Sequence, residues 1–221
     1  MLESQMVELL VQGTLESIYM IIAITVISYL IGLPLGVFLI ISDKNGLHPM
    51  PGLNWLIGGI VNILRSVPFL ILMITLSPIT RIVVGTTIGP RAAIFALVVS
   101  AAPFVARMVE QSLLEVDHGV VEAAQSMGAS NTQIITKVLL PESKPSLLNG
   151  LLVSATTILG YSAMAGVVGG GGLGDIAIRY GYNRYDTETM LITVVLLVIM
   201  VQIIQSVGSR IAKRSDKRIN D

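Results

Sequence analysis

Ser17 to Ile41 reads SIYMIIAITVISYLIGLPLGVFLII, 25 consecutive residues without a charge. A helix rises 1.5 Å per residue, so about 20 apolar residues cross the hydrocarbon of a bilayer, and this run has enough. Pro145 to Gly174, with 30 uncharged residues, and Thr189 to Ser209, with 21, meet the same requirement. All three are continuously apolar rather than alternating, which excludes a transmembrane β-barrel. The first run is too long for the h-region of a cleaved signal, and Glu3, Glu8 and Glu16 flank it where a signal would carry positive charge. It is expected to stay in the mature protein.

Two further spans follow by weighing costs. Ile57 to Ser77 holds one charge, Arg65, among 13 strongly apolar residues. A mid-bilayer Arg costs about 3 kcal/mol, and the apolar residues at about −0.4 each return roughly −5, so insertion is favoured. Ala92 to Ala106 has only 15 uncharged residues. It spans if it begins near Ile88 or runs past Arg107, whose long side chain can snorkel. The chain is thus read as an all-α membrane protein, one domain over 1–221, with five transmembrane helices over about 17–41, 57–77, 88–109, 145–168 and 189–209.

Composition agrees. Charged residues are 13% and hydrophobic residues 53% of the 221, against about 25% and 45–50% in soluble domains. Net charge is zero, so no basic excess points to nucleic acid. With no Cys and only His48 and His118, there is no disulfide framework and no metal cluster. Residues 1–16 carry no Lys or Arg, whereas the tail holds Arg210, Lys213, Arg214, Lys217 and Arg218. The positive-inside rule therefore places the C-terminus in the cytoplasm and the N-terminus outside. Arg81, Arg91, Arg179 and Arg184 then face out, and the other ten basic residues face in.

Five helices enclose little alone, so a symmetric pair of chains is expected. The fourth span carries the small residues Ser154, Thr156, Gly160, Ser162, Gly166 and Gly170, which favour close helix contact, either within one subunit or at a moving seam between two. Gly169 to Gly172, with Gly174, suits a hinge or re-entrant turn, or simply a helix end. Gly169, Gly171 and Gly174 match G-x-G-x-x-G, but no βαβ unit surrounds them, so no dinucleotide site follows. Gly32, Pro34 and Gly36 predict a bend in the first helix. No Walker loop occurs, and apart from Arg65 the spans lack the ionisable groups that proton or sodium coupling needs. Neither do they cluster acids, bases or nucleophiles, so no catalytic residue is assigned. Arg65, in Arg65-Ser66-Val67-Pro68-Phe69, is either an interfacial anchor or a pathway residue.

Between the third and fourth spans, Arg107 to Lys144 is too long for a turn. Asp117 is placed to cap a short helix through Val120, Glu122, Ala124 and Met127, and Gly128 to stop it in the left-handed region. Ser130 with Gln133 forms a capping box for a second helix, whose stripe is Ile134, Ile135, Val138 and Leu139, with Pro141 at its end. The loop either lies on its own bundle or offers the Ala123 and Ala124 face, beside Glu122, to a groove of another protein.

Glu122-Ala123-Ala124, Gly128, and then Val138, Leu140 and Pro141 at the matching spacing resemble the EAA loop of ABC importer permeases; Val138 stands where Ile is usual. Arg65 to Phe69, Ala101-Ala102-Pro103-Phe104-Val105-Ala106-Arg107 and Gly160-Tyr161-Ser162-Ala163-Met164 resemble the methionine-importer branch over most of the chain. The resemblance implies an inner-membrane permease, non-catalytic itself, whose loop over 110–144 is a cytoplasmic coupling helix. Glu122, Ala123, Ala124, Met127, Gly128, Val138, Leu140 and Pro141 would couple it to two ABC ATPase subunits that bind ATP and Mg. A second copy of the chain and an extracytoplasmic methionine-binding protein complete the implied assembly, which would import D- or L-methionine. Tyr161, Ser162, Met164 and Arg65 are candidates for the pathway or its gate, with Met164 alternatively in ordinary helix packing. The rival reading is a passive small-solute channel, against which the patterned loop over 107–144 weighs.

Overall fold

The computed structural model describes residues 2–215, with side chains described for 4–212. Lys217 and Arg218, two of the tail's basic residues, lie outside the described residues. No strand occurs among the described residues. Among the described residues eleven α-helices follow in order: α1 Leu2–Ile41, α2 Pro51–Ser66, α3 Phe69–Thr75, α4 Ser77–Val84, α5 Pro90–Leu114, α6 His118–Ser126, α7 Asn131–Ile134, α8 Leu140–Glu142, α9 Lys144–Ala165, α10 Gly172–Ile176 and α11 Thr187–Ser215. Wide π turns occupy Ile135–Leu139 and Ala177–Tyr182, and a 3₁₀ turn extends α9 over Gly166–Val168. The long apolar helices α1, α5, α9 and α11 each have the length and hydropathy to cross a membrane, and α2 with α3, bent by 103° at their break, pass the same test only as a pair, as a broken span or a re-entrant loop.

Three elements differ from the sequence expectation. The first helix begins at Leu2, well before the apolar run, because its polar prefix is rich in helix formers and Gln12 donates to Glu16 at 3.1 Å one turn on. It also runs unbroken through Pro34. The second span is not one helix over 57–77: α2 stops at Ser66 and Pro68, at φ −54° and ψ 133°, caps α3. Proline pushes the residue before it out of the helical region and supplies no N–H, so the break falls where the sequence places Val67-Pro68. The third span starts with Pro90 in its first turn, where the missing donor costs nothing, and continues to Leu114.

The chain divides into two compact units. The first comprises residues up to Ser28, Val67–Ala101 and Ala155–Gln205. Its core joins Met20 and Ile24 of α1 to Phe69 and Met73 of α3, to Ala93, Ala96 and Leu97 of α5 and to Ile158 of α9. The Phe69 and Tyr161 rings stack in parallel with centroids 4.7 Å apart. A second cluster packs Leu10 and Ile21 against Leu159, Leu173, Ile176 and Met200.

In this unit the glycine segment forms a turn rather than a plain helix end. Gly169, Gly171 and Gly172 all have φ between 73° and 82°, which glycine adopts without a Cβ clash. The backbone N–H of Gly172 then donates to Glu16 Oε2 and that of Leu173 to Ser17 Oγ, both at 2.9 Å. Two side chains of α1 thereby satisfy donors at the start of α10 that would otherwise lack partners.

The second unit comprises Tyr29–Ser66, Ala102–Ser154 and the residues from Ser206 on. Gly32 and Gly36 let α1 press against α5: a Cβ on Gly32 would sit 2.6 Å from Val105 Cγ1, and one on Gly36 would sit 2.6 Å from the Ala106 carbonyl oxygen. These glycines therefore serve close packing in the segment whose sequence suggested a bend.

Candidate functional site

The loop between α5 and α9 is built from local signals. Asp117 precedes α6 and accepts from the Gly119 N–H at 2.6 Å, filling one of the first turn's open donors. At the other end the N–H of Gly128 donates to the Gln125 carbonyl at 2.9 Å and that of Ala129 to the Ala124 carbonyl at 3.1 Å. These two bonds, with Gly128 at φ 79°, form a Schellman stop that ends α6 and turns the chain. Ser130 and Gln133 then close the capping box in both directions.

The second helix departs from expectation at its end. Pro141 does not terminate it: the helix widens into a π turn at Ile135–Leu139, and Pro141 lies in the first turn of α8, which leads by way of Ser143 toward α9. A π turn shifts hydrogen-bond partners by one residue, and this accommodates a ring that has no N–H to give.

Which faces are covered decides what the loop can touch. Ala124 is 5% exposed and packs with Val105, Val109 and Leu113 of α5, with Ile134 and Leu139 completing the cluster. Val121, Val138 and Leu140 are partly buried against it. On the other side Glu122, Ala123, Gly128 and Pro141 are exposed, and Met127 is 81% exposed. Thus α6 rests on its own bundle through one face and offers the Glu122 and Met127 face outward. A cavity of about 460 Å³ opens beside it, lined by Asp43, Glu110, His118, Val121, Glu122 and Gln125 among others.

Two polar links in this unit lie outside what residue patterning reveals. Arg107, which could snorkel from the third span, has polar partners within the chain: Nη1 meets Glu110 at 2.6 Å, and Nη2 donates to Asn62 Oδ1 at 2.9 Å and to the Gly58 carbonyl at 3.3 Å. Asn54 donates through Nδ2 to the Leu39 carbonyl at 2.6 Å and to Ser42 Oγ at 2.9 Å. Asn54, Gly58 and Asn62 recur every four residues along α2, a helical-face signal visible in the sequence once the partners are known.

The pathway candidates are divided between the two units. Tyr161 is partly buried in its stack with Phe69. Ser162 is 3% exposed and donates to the Leu159 carbonyl at 2.8 Å. Met164 is 52% exposed, as a residue facing lipid or another subunit would be. Arg65 is exposed near the end of α2, in the other unit. Of the small residues in the fourth span, Gly166 lies so close to Gly174 that a Cβ would collide with its backbone, whereas Gly160 has nothing within 4 Å. Gly166 is thus explained by packing within the chain, and Gly160 leaves an open notch.

Residues 32–221 match the family described as the binding-protein-dependent transport system inner membrane component. The chain belongs to this family. Among relatives of this transport component, it is 52% identical over 211 residues to the probable D-methionine transport system permease protein MetI of Vibrio cholerae, covering 96% of this chain and 94% of that one. It is 47% identical over 180 residues to the methionine import system permease protein MetP of Bacillus subtilis, covering 81% of each. Its fold matches a chain of the inward-facing MetNI methionine ABC transporter with a TM-score of 0.94 at 46% identity, over 96% of this chain and 99% of that chain. This transport-system component is therefore a multi-pass membrane permease of the ABC importer type.

Proposed function

We propose that this chain is the membrane-spanning subunit of an ATP-driven methionine importer and contributes no catalytic group itself. Two copies form the pathway, two cytoplasmic ATPase subunits bind and hydrolyse ATP with Mg, and an extracytoplasmic methionine-binding protein delivers substrate. The whole chain acts as one permease domain. The C-terminus and the loop over 110–144 lie in the cytoplasm and the N-terminus outside, as the Lys and Arg distribution favours.

The observation that carries this reading is α6: a capped helix of two turns between the third and fourth spans, seated on the bundle through Ala124 and projecting Glu122, Ala123 and Met127. A short helix with one anchored face and one free face is a rigid lever. Closure of the ATPase pair on ATP pulls it and biases the permease toward an outward-facing state, and hydrolysis resets it. Gly128, Val138, Leu140 and Pro141 keep the lever's angle by fixing the turn and the second helix behind it. The pathway is assigned to Tyr161, Ser162 and Met164, with Met164 lining a constriction at the two-fold axis.

The test is the substitution Glu122→Arg. It is expected to abolish ATP-driven methionine uptake in reconstituted vesicles while the subunit still inserts; unaltered uptake would refute docking through this residue. Cysteine substitution of Met164 is expected to cross-link two copies in a nucleotide-dependent manner, and failure in every nucleotide state would remove it from the axis.

A further inference from the structure

Within the first unit a cavity of about 210 Å³ is walled by Met73, Ile74, Ile88, Ala92, Ala96 and Val168, with the hydroxyl residues Ser77 and Thr87 at one side. Ser77 and Thr87 also line a wider, more open recess of about 550 Å³ whose one charged lining residue is Arg81. The two spaces therefore share Ser77 and Thr87 as lining residues. Ala92 and Ala96, each 1% exposed, form its inner wall, where a longer side chain would intrude on the space. Thr80 also faces the chamber, but its hydroxyl is already spent on the Leu76 carbonyl at 3.0 Å. The Ser77 and Thr87 hydroxyls and the Arg81 guanidinium have no side-chain partner among the described residues.

We propose that these two spaces form a transient site for an α-amino acid with an unbranched apolar side chain, the chain in the Ala92 and Ala96 chamber and the carboxylate on Arg81. This rests on the reading of the protein as a methionine-importer subunit. The apolar walls ask nothing of a thioether, which forms only weak hydrogen bonds and therefore loses little on leaving water. Arginine offers a planar fork suited to a carboxylate, and the two hydroxyls stand between it and the chamber, where the ammonium and Cα would lie. Arg81 is solvent-exposed, so its pull is screened and the site is weak. Weak binding suits a stop along a route, which the substrate must leave as readily as it enters. Side chains longer than the chamber or carrying a charge are excluded by the same walls, which gives the permease a filter of its own behind that of the delivering protein.

The complete transporter, with its ATPase and binding-protein partners in lipid nanodiscs, is illuminated with the diazirine analogue photo-methionine and the adducts are mapped by mass spectrometry. Adducts are expected within residues 73–96, displaced by excess methionine. Arg81→Gln should lower them roughly tenfold, the loss of one charge-assisted contact, with Arg81→Lys restoring part, and Ala96→Leu should abolish them by filling the chamber. Since Arg81 is exposed, Arg81→Gln decides the matter if Ala96→Leu fails to assemble. Adducts elsewhere, adducts indifferent to Arg81→Gln, or occupation by a photoreactive phospholipid that methionine does not displace would each overturn the site. Loss of ATP-driven methionine uptake by the unaltered transporter would overturn the functional reading instead, whereas intact uptake with misplaced adducts removes only the site.

Discussion

Arg107 Nη2 donates at 2.9 Å to Oδ1 of Asn62, 45 residues earlier in the chain. The same guanidinium holds Glu110 at 2.6 Å, so α2 is tied to the segment of α5 that runs into the loop. Removing Arg107 loses its charge-assisted bonds to both the partly covered Glu110 and the exposed Asn62. Arg107→Ala should therefore cost about 2–3 kcal/mol, and Asn62→Ala about 1 kcal/mol. A double-substitution cycle on thermal unfolding in detergent checks the coupling; strict additivity would mean the contact contributes nothing.

Gly160 in α9 and Gly166 just past its end should respond in opposite ways. Gly166→Ala forces a methyl into the Gly174 backbone, and overpacking of this kind costs about 1–3 kcal/mol. Gly160→Ala meets open space and should leave thermal stability unchanged or raised by up to about 1 kcal/mol. If Gly160→Ala nevertheless weakens assembly of two copies, as read by mass photometry, its notch belongs to the subunit interface.

Gly128 adopts φ 79° with no neighbour within 4 Å of a built Cβ, so substitution there is a backbone problem and not a steric one. Gly128→Ala should cost about 1–2 kcal/mol. It should also speed hydrogen exchange at the Ala129 amide, which now donates to Ala124. Unaltered exchange at Ala129 would show that the turn does not depend on glycine.

Asp186 accepts from the Thr189 hydroxyl at 2.6 Å and from the Thr189 N–H at 3.1 Å, ahead of α11. Its carboxyl is held below the usual carboxylate range, chiefly by the Thr189 side-chain hydrogen bond and then by the backbone one. A depressed pKa in the folded state means the stabilisation is present at neutral pH and is lost as pH falls through the folded value. Protection from hydrogen exchange at the first turn of α11, taken relative to the intrinsic rate at each pH, is expected to fall on acidification, and Asp186→Asn should flatten that dependence. An unchanged acid response in Asp186→Asn would assign it to another group.

Much of this molecule was legible because its signals are local. Uncharged runs of bilayer length announce the spans, since no other solvent accepts them. Asp117, Gly128, Ser130 and Gln133 act on backbone groups within a few residues, so their caps could be placed before any neighbour was known. Pro68 was equally visible, but its break was hidden inside an apolar stretch that satisfies the length rule whether or not the helix is continuous. Pro141 misled for the opposite reason: proline usually ends a helix, and here a π turn absorbs it.

What the residues alone decided is the solvent, the long apolar helices and the turns of the loop, all consequences of hydrophobic length and short-range hydrogen bonding. What only the tertiary structure decided is pairing across distance: Arg107 with Asn62, Glu16 with the Gly172 amide, Gly166 against Gly174, and Ala124 inward while Glu122 faces out. Each depends on which helix stands beside which, and within a membrane that is settled by close packing and by satisfying buried polar groups, neither of which leaves a periodic trace in one chain.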